Sequence, residues 1–140
     1  MSVLDDNKAI VDECIQALFS RGDVDAVGRY LAPDFVNHNP SPGYPSDRGG
    51  FGKIAADFRD AFPDWHSEVH ELLAERDLVV ERFTAGGTHR GPIMGVAPTG
   101  RAVTLPGINI FRIADDQIVE RWGQLDVLGL LLQLGALPNA

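Results

Sequence analysis

The chain has 140 residues, of which 44% are hydrophobic and 23% are charged, and its formal net charge is -8. This size and composition predict a single globular domain, residues 1–140, with enough interior for a hydrophobic core. The acidic balance argues against a nucleic-acid or anionic-membrane partner, because phosphate binding needs clustered Lys and Arg side chains.

Two helices are predicted at the start of the chain. Apolar residues recur at helical spacing in LDDNKAIVDECIQALF, residues 4–19, and Asp5 and Asp6 suit the first turn of that helix. Asp23 is expected to N-cap a short second helix that stops near Pro33.

A short strand, a loop and a third helix follow. DFVNHN, residues 34–39, has the pattern of a strand, and the next eleven residues are too rich in Pro and Gly for regular structure. FGKIAADFRDAF, residues 51–62, is the clearest helix, and Pro63 ends it. One face of this helix carries four apolar side chains: Phe51, Ile54, Phe58 and Phe62.

After Pro63 the apolar period changes from helical to strand-like. Four strands are predicted over residues 64–74, 78–89, 101–113 and 117–125, and short turns join the first pair and the last pair. Two of these strands contain breaks, Gly86-Gly87 and Pro106-Gly107, which are expected to be bulges or bends. A last helix, residues 127–134, is expected to close the domain, with Gly135 at its end.

Helices first and antiparallel strands afterwards predict an α+β fold. We expect a cone-shaped, curved antiparallel sheet wrapped around helices, with a mostly apolar ligand pocket inside it. The side chains expected to line that pocket are Phe58, Phe62, Trp65, Met94 and Trp122.

The connection between the second and third of these strands is unusually long for a hairpin. It contains the sequence THRGPIMGVAPTG, whereas a plain hairpin needs only a few turn residues. Long loops of this kind are often functional. The apolar residues Ile93, Met94 and Val96 are expected to form either a lid over the pocket or an oligomer contact. His89 is expected to anchor the loop, with substrate contact as the alternative.

Three stretches in order, AFPD, GTHRGPIMGVAPTGRAV and FRIADDQIVERWG, resemble the SnoaL-like polyketide cyclases of the nuclear-transport-factor-like superfamily. This resemblance covers nearly the whole chain. It implies a cone of curved sheet and helices, usually assembled as a homodimer or homotetramer. It also implies cofactor-independent closure of a polyketide ring by intramolecular aldol condensation, in which a carboxylate removes a carbon-bound proton.

The sequence departs from the family pattern at the position that carries the acid/base. In the characterised cyclases an aspartate follows the tryptophan of a Glu-His-Trp element, whereas here Gly123 follows Trp122 and Arg121 replaces the histidine. The nearest carboxylate is Asp126, which either N-caps the last helix or faces the pocket as an acid/base. His38, at a strand end, is either structural or a base that works near neutral pH.

The catalytic residues predicted on this basis are Asp126 and His38. We expect Asp126→Asn to lower turnover at least ~10²-fold, and His38→Ala to cause a comparable or smaller loss. The residues predicted to bind substrate are Asn37, Phe58, Phe62, Trp65, His89, Met94, Asn109, Arg121 and Trp122. For the two tryptophans simple core packing is the alternative, and for Asn37 and Asn109 it is hydrogen bonding to a turn or a neighbouring strand.

No metal or cofactor motif occurs in the sequence, so neither is expected. The predicted partner is a small hydrophobic or aromatic polyketide-like ligand, with no nucleic acid and no membrane. No apolar run reaches the ~20 residues of a membrane span and no signal-peptide pattern is present, while the single cysteine, Cys14, fits a reducing cytoplasm. Two alternatives remain open for the function: a binding module without catalysis, and a related hydroxylase or hydrolase on the same fold.

Overall fold

The computed structural model describes residues 2–136. Four α-helices and five strands lie within them: α1 (Val3–Ile15), α2 (Ala26–Tyr30), β1 (Leu31–Asn37), α3 (Arg48–Ala61), β2 (His66–Glu75), β3 (Leu78–Thr88), β4 (Ala102–Ala114), β5 (Gln117–Leu125) and α4 (Val127–Gln133). A π-helical turn, Gln16–Ser20, continues α1. None of the helices in this part of the chain is long and apolar enough to cross a membrane.

The five strands form one curved, open sheet in the order β1-β5-β4-β3-β2. The predicted α+β fold, with a curved sheet and helices, is therefore confirmed. One detail differs from the prediction. Strands β2 to β5 pair antiparallel, but β1 pairs with β5 in parallel, so the sheet is mixed.

The segment before β1 also differs from the prediction. The second helix begins only at Ala26 and ends at Tyr30. From Leu31 onward the chain forms β1, which contains Pro33, where the helix was predicted to continue. Proline is tolerated there because β1 is an edge strand and its pairing with β5 is irregular between Leu31 and Val36. Asp23 accepts a hydrogen bond from the backbone N–H of Asp25 (3.1 Å), two residues on, instead of capping the helix.

The expected bulges at the two glycine-containing breaks are absent from the β3–β4 ladder. That ladder is continuous from Leu78 opposite Arg112 to Thr88 opposite Ala102. Close backbone approach explains one of these glycines, since a Cβ on Gly86 would lie 2.8 Å from the carbonyl oxygen of Val103. The bulges lie elsewhere in the sheet, and one of them follows Ile118 in β5.

The helices pack on one face of the sheet, here called the inner face; the opposite face is the outer face. Along β3 and β4 the odd-numbered residues point inward, as their burial pattern shows. One core cluster joins α1 to the inner face and contains Cys14, which is fully buried as expected. A second cluster joins α3, α4 and the sheet, and includes the predicted phenylalanine face of α3 from Phe58 to Phe62.

Candidate functional site

A fully buried carboxylate lies on the inner face of the sheet. Glu81 is 0% exposed on β3, although its neighbours on the same face, Val79 and Phe83, are apolar. Its Oε2 has no hydrogen-bond partner among residues 2–136. Since nearly all buried polar side-chain atoms in native structures are hydrogen-bonded, this exception calls for a reason. Glu81 is therefore the centre of the candidate site.

Glu81 begins a chain of hydrogen bonds that crosses three neighbouring strands. The register places Glu81 opposite Asn109 on β4, and Asn109 opposite Gly123 on β5. Asn109 Nδ2 donates to Glu81 Oε1 at 2.9 Å, and Arg121 Nε donates to Asn109 Oδ1 at 3.1 Å. The Asn109 amide thus lies between the Glu81 carboxylate and the Arg121 guanidinium and hydrogen-bonds to both.

The Arg121 guanidinium reaches further, to the end of β1. Its Nη1 donates to Asn37 Oδ1 at 3.0 Å and to the backbone oxygen of Asn39 at 3.2 Å. Its Cζ lies 5.5 Å from the centre of the Phe51 ring, a cation–π distance. We call four of these side chains, all at most 6% exposed, the polar row: Glu81, Asn109, Arg121 and Asn37.

Burial controls the ionisation of both charged groups in the polar row. Burial raises the pKa of Glu81 to about 7, against the smaller opposing effects of the Asn109 hydrogen bond and the Arg121 charge. Burial also lowers the pKa of Arg121 to about 10, a shift that the charge of Glu81 opposes. The row therefore combines a carboxyl that gains and loses a proton near neutral pH with a fixed positive charge.

Gly123 leaves room for the guanidinium. A Cβ at this position would lie 2.1 Å from Arg121 Nη2 and 2.5 Å from Asn109 Oδ1. The Gly123 N–H donates to Asn39 Oδ1 at 3.0 Å, which ties β5 to the segment after β1. The arginine side chain thus occupies the space that any side chain at position 123 would need.

Three of the predicted substrate-binding residues, Asn37, Asn109 and Arg121, are brought together in the polar row. Glu81 was missed. Its signal in the sequence is its place in the alternation VVERFTA, where it occupies the same parity as the buried Val79 and Phe83. A charged residue at a strand position that the alternation assigns to the buried face is the signal that identifies Glu81.

The structure places Trp122 and His38 together on the outer face, apart from the polar row. The His38 and Trp122 rings stack with their centres 4.8 Å apart. His38 Nε2 lies 2.8 Å from Glu120 Oε2, and Arg112 Cζ lies 5.7 Å from the centre of the Trp122 ring. Trp122 therefore does not belong to the interior wall in which it was predicted.

Asp126 caps α4, which was one of the two interpretations of this residue. Its Oδ1 accepts a hydrogen bond from the Gly129 N–H at 2.9 Å, and its side chain is exposed. It also borders a surface groove of about 440 Å³ beside Pro106 and Ile108 on the outer side of the sheet. The carboxylate is therefore engaged with the helix end at the surface.

The predicted aromatic wall is packed as core. Phe58 lies 5.0 Å from Trp65 and 5.8 Å from Phe62, and Phe62 lies 4.9 Å from Trp65, measured between ring centres. All three are at most 8% exposed. They form one cluster, whereas Met94 and Trp122 lie outside it.

His89 anchors the long loop. Its ring is fully buried 5.3 Å from Phe62, and Nδ1 accepts a hydrogen bond from the Thr99 N–H at 3.1 Å. The loop tip turns back at Met94, which is 43% exposed and lines a cleft of about 370 Å³. Tyr44 lines the same cleft, where its hydroxyl donates to Asp57 Oδ2.

Three comparisons with known proteins agree with one another. The family model for SnoaL-like polyketide cyclases matches residues 9–134. The nogalonic acid methyl ester cyclase of Streptomyces nogalater is 27% identical over 119 residues, which is 84% of this chain and 89% of that protein.

Two solved structures extend this likeness to the fold. IdmH of Streptomyces antibioticus, provisionally assigned as a polyketide cyclase, is 34% identical with a TM-score of 0.80, covering 92% of this chain and 98% of that one. AclR of Streptomyces galilaeus, provisionally assigned as a hydroxylase, is 32% identical with a TM-score of 0.84, covering 98% of this chain and 89% of that one.

Proposed function

Because the chain belongs to the SnoaL-like polyketide cyclase family, we propose that it closes a ring in a polyketide-type substrate by intramolecular aldol condensation. The observation that carries this proposal is the polar row. It combines a carboxyl with a pKa of about 7 and a guanidinium inside a mostly apolar interior. A proton acceptor and a positive charge at a developing enolate are what such a reaction needs.

The proposed reaction is an isomerisation and consumes no co-reactant. A base removes a proton from a carbon next to a carbonyl group, and the electron pair left behind forms an enolate. The enolate carbon then attacks a ketone of the same substrate, which forms the new carbon–carbon bond and an alkoxide. The alkoxide takes a proton back, so no oxidant, reductant or metal enters the balance.

The predicted binding residues have different parts in this proposal. The three polar ones, Asn37, Asn109 and Arg121, hold the carbonyl oxygens of the substrate. The aromatic cluster of Phe58, Phe62 and Trp65 supplies apolar surface for the substrate, and the loop that carries His89 and Met94 covers it. Such apolar surface holds a folded chain near its attack geometry.

The experiment uses a linear aryl poly-β-ketoester and follows its conversion by mass and absorption. We expect a product of unchanged mass and altered absorption, formed faster than in buffer. Arg121→Met should reduce this conversion at least ~10²-fold, the loss typical of removing one stabilising donor. Arg82→Met, at an exposed arginine on β3, is the matched control and should retain the rate.

Asp126→Asn and His38→Ala test the two residues predicted for proton transfer. A loss of at least ~10²-fold in Asp126→Asn would place that residue in the mechanism. Wild-type rates in both variants would remove them from it. Asparagine remains a good N-cap, so this substitution tests the chemistry without removing the cap of α4.

A binding function without catalysis is the second candidate. It is favoured by the capping contact of Asp126 at 2.9 Å from the Gly129 N–H, because this contact engages a predicted acid/base. A binder would gain thermal stability with the ligand and leave its mass and spectrum unchanged. A hydroxylase would instead incorporate labelled oxygen into the product.

A further inference from the structure

The polar row begins beside an exposed residue. Asn39, whose backbone oxygen accepts a hydrogen bond from Arg121, is exposed, whereas the four side chains of the row are at most 6% exposed. Along the hydrogen bonds that lead inward from Asn39, the guanidinium comes first and the carboxyl last.

Two groups in the row retain free hydrogen-bonding capacity. Glu81 Oε2 has no partner in the described part of the chain. All the hydrogen bonds that Arg121 donates to residues 2–136 come from Nε and Nη1, which leaves the two N–H groups of Nη2 beside Gly123. The row thus offers a free acceptor at Glu81 and a free charged donor at Arg121.

The other candidate acids and bases have partners of their own. Asp126 is held by the N-terminus of α4, and His38 Nε2 lies 2.8 Å from Glu120 Oε2 on the outer face. Within residues 2–136, Glu81 is the only buried Asp or Glu side chain.

We infer that Glu81 removes the carbon-bound proton in the ring closure proposed above, and that Arg121 Nη2 holds the enolate oxygen that forms. This inference rests on the proposed function. Before the step, the interior holds a negative Glu81 and a positive Arg121. Afterwards it holds a neutral Glu81, a negative enolate and the same Arg121.

The interior charge is therefore conserved during proton transfer. The negative charge moves from Oε2 of Glu81 to a substrate oxygen held by Arg121, and the charge of Arg121 also acts on Glu81 itself. No new charge is created in a low-dielectric interior, which would be costly. Asn109 acts as a positioning residue, since its amide binds both Glu81 and Arg121 and fixes their separation.

The return step uses the same groups. Once the enolate carbon has attacked the ketone, the new alkoxide takes the proton from the neutral Glu81 carboxyl, and the carboxylate is restored. Its pKa of about 7 supports both the removal and the return of the proton. Near neutral pH the carboxylate can accept a proton and the carboxyl can release it again.

Proton transfer is tested separately from ring closure with methyl 3-oxo-3-phenylpropanoate, a β-ketoester without a second ketone. Deuterium incorporation from D₂O is followed by NMR, with the rate in buffer subtracted. We expect wild-type protein to accelerate the exchange and Glu81→Gln to lose at least ~10²-fold of that acceleration. Glu71→Gln, at an exposed glutamate on β2, should match the wild type.

The outcomes separate the two proposals. A folded Glu81→Gln protein that exchanges within about threefold of the wild type overturns the role of Glu81, whatever happens to ring closure. A wild-type protein that neither exchanges this probe nor cyclises the linear substrate overturns the proposed function, and the role of Glu81 with it. If Asp126→Asn abolishes exchange and Glu81→Gln does not, Asp126 is the base.

A second measurement needs no variant and so does not depend on the folding of Glu81→Gln. Carboxyl carbons of glutamate are labelled with ¹³C, and the wild-type protein is titrated with and without 2-hydroxy-1,4-naphthoquinone, an anionic enol. Binding of the anion beside Arg121 should shift the titration of one buried carboxyl to higher pH. An unchanged titration with the probe bound overturns the inference.

Discussion

Gly123 shows how one absent side chain determines the position of its neighbours. Arg121 Nη2 and Asn109 Oδ1 occupy the space in which a Cβ of residue 123 would lie. The resemblance to the cyclases implies an aspartate at this place, and the structure explains why none fits beside Arg121. The glycine and the arginine are therefore one coupled feature of the interior.

Gly123→Ala should destabilise the fold by about 1–3 kcal/mol, because the new methyl group overpacks the buried guanidinium. Urea unfolding measures this loss. Gly28→Ala, in α2, is the control: a Cβ there meets nothing within 4 Å, so alanine should be neutral or slightly stabilising in that helix. Equal stability of Gly123→Ala and the wild type would show that the guanidinium moves freely.

Glu81 makes stability depend on pH in the direction opposite to that of most carboxylates. Its pKa is about 7 in the folded protein and near the ordinary glutamate value of 4.5 when the chain is unfolded. Between these two values the folded state holds the proton more tightly than the unfolded state. The stability that Glu81 contributes is thus complete below pH 4.5 and is lost as the pH rises through about 7.

Glu81→Gln should remove this dependence. Subtracting the pH profile of Glu81→Gln from that of the wild type should give a difference that falls by on the order of 3 kcal/mol between pH 4.5 and 7. Chemical denaturation at a series of pH values measures both profiles. A difference that is flat over this window would contradict the raised pKa.

At the level of elements, α4 depends on its cap. Asp126 Oδ1 accepts the Gly129 N–H at 2.9 Å at the start of a helix of seven residues, Val127–Gln133. Asp126→Ala should cost about 1 kcal/mol of unfolding free energy, whereas Asp126→Asn should cost much less, since asparagine caps equally well. Thermal unfolding compares the two variants, and equal losses would show that the carboxylate acts through charge and not through the cap.

The sequence predicted those elements whose pattern is local. The helical period of α3 and the alternation of β2 to β5 are visible within nine to fourteen residues, and all five elements lie close to where they were expected. The start of β1 was missed because its pairing with β5 joins residues more than 80 positions apart, and no local pattern encodes it.

The same limit applies to the site. Whether β5 contains a bulge decides which of the two residues, Arg121 or Trp122, points to the inner face of the sheet. The register places Ile118 opposite Ile113 but Glu120 opposite Arg112, so one extra residue, Val119, reverses the alternation. Trp122 therefore lies on the outer face, where parity counted from Ile118 alone would have placed it inside. The inward position of Glu81 can be predicted without any knowledge of a bulge, because the alternation along β3 is regular.

At the level of the whole molecule, the outer face exposes apolar side chains. Leu73 is 61% exposed and Ile108 is 49% exposed, and both side chains point outward. Exposed apolar area on a sheet face is typical of a contact surface. This supports the proposal that the protein forms a homodimer or homotetramer.

Light scattering at micromolar concentration should find a particle of at least twice the 15.2 kDa chain mass. Ile108→Glu places a charge on the outer face and should shift the particle towards the monomer, because burying an unpaired charge in an interface is costly. Lys53→Glu, on an exposed part of α3, is the control and should not. A wild-type particle of one chain mass would contradict the proposal.

The parallel pairing of β1 with β5 has a consequence for how the protein is made. The ribosome releases β1 long before β5. Asn37 lies 84 residues before Arg121 in the chain, so it is synthesised well before the guanidinium to which it hydrogen-bonds. Until then, the glutamate on β3 has no positive neighbour from β5, and the sheet has an open edge. Contacts between distant segments form slowly and leave a nascent chain exposed to misfolding. The hydrogen bond between Asn37 and Arg121 can therefore form only after the last strand of the chain has been made and has paired with the first.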